Sequence, residues 1–93
     1  MGGLTLWSLD RERPAALVVA AARIAGGDLS DRGSIVRGLR IIARLEGWPG
    51  RLASYLLARP RELEEALKYA STDGEALRIL AEEIVKLARR QGS

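Results

Sequence analysis

Ninety-three residues, 47% apolar and 29% charged, suffice for one small domain whose core needs no disulfide or metal staple. The chain has no His, no Cys, no Asn and a single Gln. That excludes a Ser-His-Asp or Cys-His nucleophile, a His general base and a zinc site of the usual nitrogen and sulfur ligands. A net charge of +3 is within the range that merely keeps a small domain soluble.

In chain order, Leu4 to Leu9 is apolar enough to be anchored, and Thr5 is a candidate cap for a short helix over residues 6–12. No signal peptide is expected, because Met1-Gly2-Gly3 lacks a basic start followed by an apolar run. Pro14 predicts a break and a fresh start, since proline costs nothing at the first helical position. The alternative is one helix from Leu9 that carries Pro14 in its early turns. Residues 14–25 form the predicted central helix. Its stretch Ala15 to Ala25 reads AALVVAAARIA, with Arg23 as its one charge and apolar residues all the way round. Such a helix must be enclosed by other elements, and it is too short to cross a bilayer. Gly26-Gly27 supplies the stop.

Asp28 and Asp31 offer caps for a helix over 31–46, with Gly47 as its end. Ile35, Val36, Leu39, Ile41, Ile42, Ala43 and Leu45 cover roughly 220° of its projection, so it is predicted to be largely buried. Gly33 and Gly38 inside it point to close approach by a neighbouring backbone. Pro49 suits the start of a helix over 50–58, and the Arg59-Pro60 step breaks the chain before another over 61–70. In that helix Leu63, Ala66, Leu67 and Ala70 have amphipathic spacing, and Glu62, Glu64 and Glu65 sit where the helix dipole favours negative charge. Thr72-Asp73-Gly74-Glu75 fits a capping box for the last helix, 73–90. Leu77, Leu80, Ala81, Ile84, Leu87 and Ala88 are its inner stripe, and Ile79 projects among charges. The expected fold is all-α: a compact, irregular globular arrangement of five or six short helices around a central apolar one, in one domain spanning 1–93.

Charge is uneven. Residues 31–60 hold six arginines against Asp31 and Glu46. Arg37, Arg40 and Arg44 fall on one helical face, and arginine donates bidentately to phosphates. The competing reading is a solvated face. Asp28 with Asp31, and Glu62 with Glu65, could suggest paired carboxylates, but their places at helix starts account for them as caps and dipole partners. Trp7 and Trp48 are either interaction anchors or covers for the ends of a core. Gly26-Gly27-Asp28 lacks the preceding strand and following Lys-Ser/Thr of a phosphate loop.

Ala43-x-x-x-Gly47, with a turn, a second short helix and apolar Ile42, Trp48 and Leu56, resembles the core of a helix-turn-helix DNA-binding unit. The resemblance implies that Arg51, Ser54, Tyr55 and Arg59 read bases or phosphates. Glu46 before the glycine, Ala53 in place of a branched residue, and Pro49-Gly50 at the start of the second helix depart from the pattern. On the whole chain, missing His, Cys and Asn, deliberate helix starts and stops, and ends that look like cloning remnants resemble a de novo designed helical protein. Thirteen arginines to two lysines, and Gly33 and Gly38, run against that style.

The design resemblance implies a soluble, monomeric scaffold whose purpose is its fold, with no enzymatic activity, catalytic residue, cofactor, metal, membrane association or expected partner. Expression in a bacterial host would leave it in the cytoplasm. The first alternative is a small basic nucleic-acid-binding domain using Arg37, Arg40, Arg44, Arg51, Tyr55 and Arg59. The second is a helical protein–protein adaptor, similar in size to the death-domain superfamily.

Overall fold

The computed structural model describes residues 2–71 and 74–92, with side chains from residue 12 onward except those of 76 and 92. Among the described residues there are five helices and no strand. They are α1 (Gly2–Ala25), α2 (Arg32–Ile42), α3 (Trp48–Ala58), α4 (Pro60–Ala70) and α5 (Glu75–Gly92). The all-α expectation holds, and α1 packs against each of the other four. Ala15, Ala16, Leu17, Val18, Ala20 and Ala21 on it are completely buried. The apolar stretch is therefore the centre of the molecule, with Arg23 exposed at its end. No helix among the described residues is long and apolar enough to cross a membrane.

Small side chains let the neighbours of α1 come close. A methyl on Gly38 of α2 would overlap the carbonyl of Ala21, so the two backbones touch there. Ile35, Leu39 and Ile42 flank that contact, fully buried, each contributing about 1.5–3 kcal/mol of apolar burial. Leu56 of α3 and Ile84 of α5 fill the other sides of the core. The second glycine of α2 behaves differently. Gly33 is exposed and meets no neighbouring helix, so the expected close approach occurs at Gly38 alone.

Several predicted boundaries move. α1 runs unbroken through Pro14, and Thr5 lies within it as no cap. A proline inside a helix forfeits one backbone bond and crowds the preceding turn. Here strong helix formers flank it on both sides, from Arg11 to Arg13 and from Ala15 to Leu17, so the separate 6–12 and 14–25 helices are one. This is close to the alternative of a single helix carrying Pro14. Gly26 does close α1, with φ of 76°.

The chain leaves α2 after Ile42, four residues earlier than expected, and turns through Ala43 to Gly47. Leaving early buries Leu45. Gly47, with φ of 87°, precedes α3 where a helix end was predicted. The buried face of α2 is narrower than its apolar arc, and Ile41 is exposed at 43%. In α5 Val85 joins the buried stripe while Leu87 turns outward. Ile79 is exposed at 56%, in keeping with its charged neighbours. The capping box rests on Thr72 and Asp73, which lie outside the described residues.

At the start of α2 the local chemistry follows the expectation closely. Asp31 is the N-cap: its Oδ1 accepts from the Ser34 amide at 3.2 Å and its Oδ2 from the Ser34 hydroxyl at 2.8 Å. Arg37 donates through Nη2 to that same buried hydroxyl at 3.2 Å. The Ser34 hydroxyl, then the Ser34 amide, hold the Asp31 carboxyl below its ordinary value of 3.8. Asp28 is lowered likewise by the Ser30 hydroxyl and amide, which close the preceding turn.

Candidate functional site

α3 and α4 are joined through Arg59 alone, whose extended backbone (φ −128°, ψ 91°) ends one helix and begins the next. Pro60 enforces the corner, because the residue before a proline is pushed out of the helical region. Between the two helices, with Arg13 and Pro14 of α1 at its edge, lies an open groove of about 1180 Å³.

Its walls are two helical stripes of the same period. From α3 come Trp48, Arg51, Leu52 and Tyr55; from α4 come Glu62, Glu65, Ala66 and Tyr69. Spacings of three, four and seven residues put each set on one face of its helix. Buried Leu56 and Ala66 make part of the floor. Three of the four aromatic residues of the chain line this one groove. The side chain of the fourth, Trp7, lies outside the described residues.

The walls differ in charge. On the α1 and α3 side stand Arg13 and Arg51, both exposed. The Arg13 guanidinium lies 5.2 Å from the centre of the Trp48 ring, and that of Arg59 lies 4.7 Å from the centre of Tyr55. Such contacts stabilise the stack and leave the N–H edges of each guanidinium available to an anion. On the α4 side Lys68 is the one cation and Glu62 and Glu65 are carboxylates.

The predicted site residues therefore divide. Arg51 and Tyr55 line the groove and Arg59 stacks on its rim. Arg37 and Arg40 are exposed on α2, and Arg44 sits in the turn beyond it, so the three do not share one helical face. Ser54 is exposed but lines no part of the groove. Sequence reasoning missed Arg13, Tyr69 and the two glutamates as members of one site. The matching stripes 48-51-52-55 and 62-65-66-69 were the available signal.

The turn resembling a helix-turn-helix is built differently from that unit. Pro49 and Gly50, at the start of the second helix, are buried, and a methyl on Gly50 would overlap the carbonyl of Leu45. A recognition helix offers its first residues to base edges; α3 turns them inward. Among the described residues no three His, Cys, Asp or Glu gather where they could hold a metal ion. Compared with family models, curated proteins and solved structures, the chain matches none of them.

Proposed function

We propose that this protein is a small non-enzymatic module that binds single-stranded nucleic acid across the α3–α4 groove. The observation that carries the reading is the α3 stripe. It sets two aromatic rings, Trp48 and Tyr55, about 10 Å apart along the helix axis with Arg51 between them. Strand-binding grooves pair cations that follow the phosphates with aromatic faces on which bases stack. Arg13 and Arg59 extend the cationic edge at either ring. A duplex keeps its bases stacked within the helix, away from these rings, so the reading favours a single strand.

The test is fluorescence anisotropy with labelled 12-nucleotide DNA and RNA strands and the matching duplex, at low and moderate salt. The expected result is tighter binding of the single strands, falling steeply with salt as counterions are released. Arg51→Glu/Arg59→Glu weakens it by at least about tenfold, and Arg37→Glu/Arg40→Glu/Arg44→Glu by much less, because those side chains only add to the general field. Duplex preference, or a loss confined to the Arg37/Arg40/Arg44 variant, overturns the groove reading.

A second reading is a scaffold of designed type whose purpose is its fold. What supports it is the agreement of local chemistry with helix boundaries: Asp31 capping α2, prolines in the first turn of α3 and α4, and Gly26 closing α1. Cooperative unfolding together with no nucleic-acid binding at low salt would favour it over the first.

A further inference from the structure

The charge difference between the two walls bears on which bases the groove would accept. We propose, resting on the single-strand reading above, that Glu62 and Glu65 make the groove select guanine over thymine. The two carboxylates stand on the same face of α4, three residues apart, and line the groove between Ala66 on the floor and the α3–α4 corner. Glu65 is exposed and Glu62 half-buried. Among the described residues neither holds a hydrogen bond or an ion pair, unlike their neighbour Glu64, which pairs with Arg32. Unpaired carboxylates beside a phosphate chain would be purely repulsive. With the strand's phosphates along Arg13, Arg51 and Arg59, the stacked bases direct their edges toward α4.

A carboxylate is acceptor-only, so it favours whichever base edge offers donors. Guanine presents N1–H and N2–H side by side, a pair that one carboxylate accepts in two parallel bonds. Cytosine and adenine each offer a single amino group. Thymine offers N3–H between two carbonyl oxygens, which face the carboxylate with like partial charge. The order expected is therefore guanine first and thymine last.

Anisotropy titrations would use a labelled 12-nucleotide deoxythymidylate, the same strand with three guanines, and a third with inosine at those positions. Inosine keeps N1–H and lacks the amino group. The guanine strand is expected to bind about tenfold more tightly than the thymine strand, which lies within the roughly five- to 150-fold discrimination of one bidentate base contact. Inosine falls between them. In Glu62→Gln/Glu65→Gln, checked for helix content and unfolding midpoint, the ratio drops below about twofold while thymine binding holds or rises, because repulsion of the phosphates is relieved. Equal binding of all three strands by the unmodified protein overturns the selectivity and leaves the single-strand reading standing. A guanine preference that persists in the double variant also overturns it, by placing the discrimination elsewhere. No binding of any strand removes both proposals.

Discussion

The two faces on which α2 and α3–α4 meet the rest of the molecule are built on opposite rules. Along the α1–α2 seam the side chains are small or aliphatic, and the backbones of Gly38 and Ala21 touch. Across the α3–α4 groove the side chains are long, aromatic or charged, and they stand apart around about 1180 Å³ of open space. Position along the chain does not separate the two, because α3 and α2 are neighbours in sequence. Side-chain size does. Where α1 contributes Ala20, Ala21 and Ala22 a partner helix can settle against it, and where it contributes Arg13 and Pro14 the partners are held off. The seam carries stability, and it is the exposed wall of the groove, at Arg13, Arg51, Tyr55 and Glu65, whose side chains are not committed to the core; Leu56 and Ala66 in its floor are.

The strongest way to break this comparison is at Gly38. In Gly38→Val the new side chain has to displace the Ala21 carbonyl, so α1 and α2 separate along the whole seam and the buried faces of Ile35 and Leu39 open with them. Cooperative thermal unfolding is expected to disappear, and even Gly38→Ala should cost more than about 3 kcal/mol in urea titration. Gly33 sharpens the point. An added methyl there would meet only Asp31 Oδ1, at 3.4 Å, an ordinary contact. Gly33→Ala is expected to raise stability by about 0.5 kcal/mol, through the lower entropy of the unfolded chain. If both alanines proved neutral, the two helices would not be in backbone contact and the seam would be ordinary side-chain packing.

The sequence makes the seam legible and hides the groove, for a physical reason. Buried faces leave a local trace, because helical spacing of aliphatic residues and a costly interior glycine arise from little besides burial and close packing. Ile35, Leu39 and Gly38 can be read that way. Pro14 misleads because the rule that it breaks a helix is local, while the flanking helix formers and the core around Ala15 to Ala22 act together to carry α1 through it. Ile41 and Leu87 mislead in the reverse sense: each lies on an apolar arc wider than the face its neighbours cover. The groove depends on a tertiary fact, that a single extended residue folds α4 back beside α3. Read locally, Glu62 and Glu65 both pass as partners of a helix dipole, so nothing local asks for a second role; in the structure only Glu62 lies in the first turn of α4, and Glu65 sits beyond the reach of the dipole. Only the parallel stripes on two short helices joined by Arg59-Pro60 bring those residues together.

The cap at the start of α2 gives the seam a pH dependence. Because the Ser34 hydroxyl and amide hold the Asp31 carboxyl below 3.8, the unfolded chain takes up that proton before the folded one does. The cap's contribution is therefore complete above the ordinary carboxylate range and is lost as pH falls through the lowered folded value. Asp28 acts in the same sense, so the effect of Asp31 is read as a difference. Asn keeps an oxygen that can accept from Ser34 but has no charge to lose. The melting temperature of Asp31→Asn is expected to fall less than that of the unmodified protein between about pH 6 and pH 2.5. Parallel pH profiles for the two would mean that the cap is held by geometry alone, with its charge contributing nothing.

The smallest effect expected is at Arg32 and Glu64, the ion pair that reaches from the first residue of α2 to α4. Among the described residues it is the one ion pair between the seam helix and the groove wall. Both side chains remain well exposed, at 58% and 46%, so water screens the attraction and holding two long side chains costs entropy. A double-mutant cycle of Arg32→Ala and Glu64→Ala should give a coupling below about 0.5 kcal/mol, shrinking further with added salt. Arg32→Ala alone should be close to neutral, because a cation in the first turn of a helix opposes the dipole and its removal offsets the lost pair. A coupling above about 1.5 kcal/mol would make the position of α4 electrostatic and tie the groove to the seam. A weak coupling leaves α4 held against the core by buried Leu63, Ala66 and Ala70 and by half-buried Tyr69, so that Glu62 and Glu65 are carried into the groove on a rigid element.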